Sequence, residues 1–233
     1  MTEAGSDRWA TLASLGLKGL QAVTGVATLV VLSLLLDPAE LGRYAYAFAW
    51  IQVLHILAMA GFQRLTVREV AVAWGAGHWG RLRTLLQWAL GLPLLLAGGP
   101  ALIGVCGILA GVPQLDVLAF LGMPGLVLAG LLPMALVGVQ RGVLQGLGQP
   151  VRSQIPAIVV RPLVFFALLG AAILLAPGAI DAEFALVAQV AGAGIAVLVG
   201  GLWLRPLWHR LRGTASSGGI GEWRRSAGVF LLL

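Results

Sequence analysis

The chain reads as an all-α integral-membrane protein, a six-helix transmembrane bundle followed by the start of a seventh helix. Composition is the first reason. Of 233 residues, 59% are hydrophobic and only 10% are charged, whereas a soluble domain carries about 25% charged residues. So few charges cannot cover a water-exposed surface. Patterning is the second reason: the chain divides into about six long apolar runs, and a span needs about 20 apolar residues. The third is the placement of charge. Fourteen of the fifteen basic residues fall in alternate gaps between the runs, with Arg8 and Lys18 near the start, Arg64 to Arg83, Arg141 to Arg161, and Arg205 to Arg225. The remaining gaps hold only Arg43, beside Asp37, Glu40, Asp116, Asp181 and Glu183. Lys and Arg resist translocation, so the pattern predicts a multi-pass bacterial inner-membrane protein with its N-terminus in the cytoplasm.

The elements follow in order. Met1 to Trp9 lacks a basic leader, and the apolar stretch after it is too long for a signal-peptide core, so helix 1 is retained from about Trp9 to Leu36. Asp37-Pro38-Ala39-Glu40 is a turn, because Pro38 cannot continue a helix. Helix 2 spans about Leu41 to Phe62. The basic stretch from Gln63 to Arg83 is expected to be amphipathic and to lie at the interface. Helix 3, about Leu82 to Val112, is too long for an unbroken span and should kink at Pro93 and Gly98-Gly99-Pro100. Helix 4 runs from about Leu115 to Leu147, closed by Gly146-Leu147-Gly148-Gln149-Pro150. Helix 5 covers about Ile155 to Leu175 and helix 6 about Glu183 to Leu204. Residues 1–204 are thus expected as the bundle, 205–225 as a cytoplasmic linker with a flexible Ser216-Ser217-Gly218-Gly219 centre, and 226–233 as the start of a truncated seventh span. Trp9, Trp74, Trp79, Trp203, Trp208 and Trp223 fall at or near predicted cytoplasmic ends, where an indole can be half wet.

Several classes of chemistry are excluded. The net charge of +6 would suit nucleic acid on one soluble face, but here the basic residues punctuate apolar runs and read as topology signals beside anionic lipid. No phosphate-binding Gly-rich loop, paired metal histidines or Ser-His-Asp set is present, so neither catalytic residues, metal nor cofactor is expected. Cys106 is the one cysteine and reads as a small packing residue. Gly192, Ala196 and Gly200, spaced i, i+4, i+8, read as a seam for close helix packing.

Two polar stripes stand out against this. Ser14, Lys18, Gln21, Gly25 and Thr28 share an arc of ~80° at ~100° per residue. Such a stripe on a spanning helix should face protein or a water-filled cavity. Lys18 either snorkels to the surface or serves that cavity. On helix 2, Tyr44, Phe48, Gln52, His55, Met59 and Gln63 form a matching stripe. His55 is either a hydrogen-bonded packing residue or a substrate contact. Arg141 and Gln145 on helix 4, and Gln154 and Arg161 on helix 5, can point at the same inner cavity, although loop charge accounts for the arginines as well. Guanidinium groups suit a diphosphate because they bind oxygens in a fork. All nine acidic residues sit in loops or at helix ends. A cationic cavity without carboxylates favours an anionic substrate.

Three segments carry a family resemblance. Leu36-Asp37-Pro38-Ala39-Glu40-Leu41-Gly42-Arg43-Tyr44-Ala45 resembles the first external turn of bacterial polysaccharide-biosynthesis flippases. Gly61-Phe62-Gln63-Arg64-Leu65-Thr66-Val67-Arg68-Glu69-Val70-Ala71 is similar to that family's close of helix 2. Arg141 to Gln149, with Ile155-Pro156 and Arg161-Pro162-Leu163, is similar to its junction of helices 4 and 5. The resemblance implies two six-helix lobes around a V-shaped cavity that alternates between the two sides of the membrane. This chain supplies the N-terminal lobe, and the C-terminal six-helix lobe is the missing partner. It also implies a polyprenyl-diphosphate-linked oligosaccharide as substrate, with Lys18, Arg141 and Arg161 as cavity cations; Gln21, Gln52 and His55 complete the expected substrate-binding set. Alternatives are another lipid or a drug carried on the same fold, or an integral-membrane glycosyltransferase using Asp37 and Glu40. The last is disfavoured because the first external loop is too short to build a typical catalytic site.

Overall fold

A computed structural model describes residues 3–59, 62–100, 123–175 and 180–211, with positions 102, 106 and 178. Every regular element among them is helical: α1 (Glu3–Leu35), α2 (Pro38–Met59), α3 (Phe62–Gly75), α4 (Trp79–Leu96), α5 (Pro124–Gly146), α6 (Pro150–Ile155), a π-helical turn (Pro156–Val160), α7 (Arg161–Leu175) and α8 (Ala182–Leu211). Helix starts are set by proline: Pro38, Pro124 and Pro150 each open a helix, where the missing N–H costs nothing. Two helix ends are set by glycine. At Gly77 and Gly148 φ is +65° and +74°. Gly148 N–H bonds to Gln145 O and Gln149 N–H to Leu144 O, each at 3.0 Å, which satisfies carbonyls a helix end leaves open. The turn after α3 repeats the arrangement, with Gly77 N–H to Trp74 O and His78 N–H to Ala73 O.

Four of these helices are long and apolar enough to cross a membrane: residues Leu12–Leu35, Pro124–Gly146, Pro150–Leu175 and Ala182–Leu211. The pair α2 and α3, bent by 44°, counts as a fifth if taken as one span. The described residues therefore hold four or five spans, not the six expected. The far part of the expected third span and the start of the fourth, with Asp116, lie outside the described residues, as do the glycine-serine linker and residues 226–233. The predicted break in the third span falls at Ala97: α4 passes through Pro93, and the helix resumes at 98–100.

The 63–83 stretch has a buried side as well as a charged one. Its first part is α3, which buries Leu65, Thr66, Val70 and Ala73 against α5, while Arg64 and Arg68 stay exposed. Gly142 and Gly146 make the approach possible. A Cβ at Gly146 would stand 2.7 Å from Val70 Cβ and 2.8 Å from Val67 O. Arg81 then ties α4 to α3 through Glu69 at 2.9 Å, and Trp74 meets Trp79 edge to face.

Helix α5 is the hub. It is apolar up to Gln140, and Val127, Leu131, Ala135, Val139 and Val143 along it are all buried; α2, α3, α4 and α8 pack around it. Two apolar cores result. One joins α3, α4 and α5 to the end of α8 around Val70, Leu86, Val139 and Leu211. The other joins the far ends of α1, α2, α7 and α8 around Leu32, Tyr44, Ile51, Phe165 and Leu186. By contrast α1 rests chiefly on α6 and the π-helical turn, and Leu15, Val23, Leu29 and Leu34 along it are exposed.

Close backbone contact between α7 and α8 depends on the seam glycine Gly192, where a Cβ would lie 2.7 Å from the Arg161 carbonyl oxygen. Gly194, two residues on, has open space. Gly192→Ala should cost about 1–3 kcal/mol through overpacking and lower the thermal unfolding midpoint of the detergent-solubilised protein. Gly194→Ala should leave that midpoint unchanged or raise it.

Candidate functional site

The site begins with a local disturbance of the helix. Pro162 cannot tolerate a carbonyl in the normal place four residues back. The chain before it widens into a π-helical turn, in which Arg161 N–H bonds to Pro156 O, five residues earlier. Such single π turns re-aim side chains and occur frequently at functional positions. Here the turn delivers Arg161 to the inside of the bundle.

Arg161 is held there by neutral groups. Its Nε and Nη2 both donate to Gln189 Oε1 at 3.2 Å. Gln189 Nε2 in turn donates to the Tyr44 hydroxyl oxygen at 3.1 Å. The guanidinium carbon lies 5.6 Å from the centre of the Phe48 ring, which stacks on Tyr44 at 5.8 Å with 5° between planes. The Tyr44–Phe48 pair follows from i, i+4 spacing on α2. This cluster locks α2, α7 and α8 together.

The cluster forms one wall of a cavity of about 760 Å³ between α1, α2, the π-helical turn, α7 and α8. The opposite wall is the α1 stripe: Lys18, Gln21, Gly25 and Thr28 all line it, joined by Thr24. Thr24 and Thr28 donate their hydroxyls to backbone carbonyls one turn back, at 2.9 and 2.8 Å, so each turns an acceptor oxygen to the cavity. Gln52 completes the α2 side. Of the six residues expected at the site, the structure therefore brings four together: Lys18, Gln21, Gln52 and Arg161. Ser14, at the start of the stripe, lies outside the lining.

His55 and Arg141 are placed differently. His55 packs toward α5, where a Cβ at Gly138 would lie 3.4 Å from His55 Cε1, and its Nδ1 is buried with no hydrogen-bond partner among the described residues. Arg141, half-buried near the end of α5, has its Nε in the same condition. Neither lines the cavity. The i, i+4 and i, i+7 spacings that aimed Arg141 at a shared cavity do not say which neighbour that face meets, and α5 supplies no residue to the cavity lining.

Gln189 is the functional-site residue that sequence reasoning missed. The signal was available: between Glu183 and Arg205 it is the lone polar side chain in an otherwise apolar run, and a buried amide in such a helix needs a partner. Gln140 behaves likewise, donating to Val197 O at 3.0 Å where Gly200 leaves room for its carboxamide.

Residues 9–227 match the family described as polysaccharide biosynthesis protein. The chain belongs to that family. No curated protein and no solved structure gives a significant match. Within this polysaccharide biosynthesis protein, the segment from Leu36 to Ala45 works as a structural clamp at the acidic end of the bundle. Glu40 accepts the Ala182 backbone N–H at 3.0 Å and pairs with Arg43 at 2.7 Å, while Asp181 accepts the Phe184 N–H at 2.8 Å. Two carboxylates thus cap α8, where they also oppose the positive end of its dipole.

The two faces of α1 make a sharp test of the cavity. Cysteines introduced singly at Gln21 and Thr28, in a Cys106→Ser background, should react with a small hydrophilic methanethiosulfonate in intact membranes. Cysteines introduced at Val23 and Val30 should not. Equal labelling on both faces would show that α1 is not arranged as described.

Proposed function

We propose that this chain moves polyprenyl-diphosphate-linked oligosaccharide across the bacterial inner membrane by alternating access, acting as the N-terminal lobe of a two-lobe transporter. One observation carries the reading. The cavity presents Lys18 and Arg161, and among the described residues neither has a carboxylate partner; Arg161 is held by Gln189 and a Phe48 ring instead. A cation in a membrane interior is costly and marks a functional position. An anionic ligand offsets that cost, and a diphosphate offers oxygens at the right spacing for a guanidinium fork.

The rest of the lining fits the sugar side of such a substrate. Gln21, Gln52 and the threonine oxygens supply neutral donors and acceptors suited to hydroxyls. The head group would occupy the cavity while the polyprenyl chain stays in lipid beside α1, whose outward residues are apolar and exposed. Membership of the polysaccharide biosynthesis family supports the glycan side of the reading, and the family's two-lobe arrangement supports rocking of one lobe against the other. The basic end of the bundle would face the cytoplasm. Catalysis at Asp37 and Glu40 is disfavoured, because Glu40 is committed to Ala182 and Arg43. The linker expected from residue 205 would begin later, since α8 continues to Leu211.

In the intact protein, Lys18→Ala and Arg161→Ala should each lower glycan export about tenfold or more at normal membrane abundance, the loss expected when a hydrogen-bonded charge pair is removed. Arg141→Ala should affect export less, because Arg141 lies outside the cavity. Normal export by both cavity variants would overturn the reading.

A further inference from the structure

Resting on that reading, we propose that Gln189 is the positioning residue of the site and that it makes the Tyr44 hydroxyl a second donor to the anion held by Arg161. A guanidinium has only donors, five in all, and a carboxamide has one acceptor oxygen and one donor nitrogen. With Arg161 giving two of its N–H groups to Gln189 Oε1, the amide cannot turn over. Its nitrogen must face Tyr44, and there it donates to the hydroxyl oxygen. Tyr44 has therefore become an acceptor toward Gln189, and its single O–H proton is left over.

That proton has no protein acceptor among the described residues. Tyr44 is buried, 2% exposed, yet it borders the cavity together with Arg161 and Gln189. A buried donor without a partner is costly, so the hydroxyl is set to donate into the cavity. Three Arg161 N–H groups remain after the two spent on Gln189, since the fork carries five. Arg161 and Tyr44 thus present donors from two helices toward one place, held in register by a single amide on a third. The π-helical turn fixes Arg161 from behind, and the Tyr44–Phe48 stack fixes the phenol ring. This is an anion cradle set in place before the ligand arrives.

Gln189→Glu would give Arg161 a permanent carboxylate partner: the cluster stays joined, but its charge is cancelled. Tyr44→Phe would keep the ring stack and remove only the hydroxyl. Binding of a polyprenyl diphosphate to the intact detergent-solubilised protein, with the monophosphate in a parallel arm, is the measurement, alongside thermal unfolding. Tyr44→Phe should weaken diphosphate binding about tenfold, as for loss of a hydrogen bond to a charged group, with the unfolding midpoint lowered only modestly, because the Gln189 amide nitrogen loses its acceptor. Gln189→Glu should weaken it at least as much, with a midpoint unchanged or raised. Gln189→Leu should weaken it too, and adding Tyr44→Phe to Gln189→Leu should cost little more, because the hydroxyl is aimed through the amide. If Arg161→Ala loses binding while Tyr44→Phe and Gln189→Glu bind like the parent, the cradle is wrong and the transport reading survives. If Arg161→Ala itself binds normally, both fall.

Discussion

A guanidinium held inside an apolar bundle by neutral partners is the constraint on which this structure turns. Arg161 sits at the meeting of α2, α7 and α8, and nothing acidic among the described residues compensates it. Gln189 and the Phe48 ring hold its position without cancelling its charge. A carboxylate in place of the amide would satisfy the arginine more fully and cancel the charge that an anionic ligand needs. The neutral amide is therefore what keeps the site cationic, while the two hydrogen bonds to Arg161 keep it ordered.

Much of the surrounding architecture serves that placement. Two prolines, Pro156 and Pro162, bracket the π-helical turn from which Arg161 emerges. Gly192 lets the α8 backbone reach the Arg161 carbonyl, which brings Gln189, one turn earlier on α8, within hydrogen-bonding distance. At the acidic end, Glu40 and Asp181 cap α8 and bind it to the start of α2. That clamp holds Tyr44, one turn beyond Glu40, opposite Gln189. The enclosed α5 gives the other helices a rigid surface to pack on, whereas α1 is loosely seated and contributes a wall to the cavity more than a share of the core.

The polar stripe on α1 was legible because helical periodicity places Lys18, Gln21, Gly25 and Thr28 on one face, and polar groups in an apolar helix do not turn to lipid. The same reasoning placed Gln52 beside Tyr44 and Phe48. It failed for His55, which shares their arc, because the α2 stripe meets two neighbours along its length: the cavity near Tyr44 and Gln52, and α5 near His55. Arg141 failed for a related reason. Periodicity states which residues share a face and is silent about which neighbour that face meets. In the 63–83 stretch the charged side was legible, but that its other side, Leu65, Val70 and Ala73, packs against the glycines of α5 is encoded by no spacing within the stretch.

From the amino-acid order alone came the membrane class, the alternation of charged ends, the helix-terminating prolines and glycines, and the polar stripe of α1. All of these are local: each follows from hydropathy, backbone geometry or spacing within one helix. Tertiary structure decided that α3 packs inward on α5, that the cavity lies against α1 and excludes His55 and Arg141, and that Gln189 joins Arg161 to Tyr44. All three depend on residues far apart in the chain, the last on contacts 28 and 145 positions apart. Such contacts are set by how helices fit side to side, and no periodicity within a single helix encodes that fit.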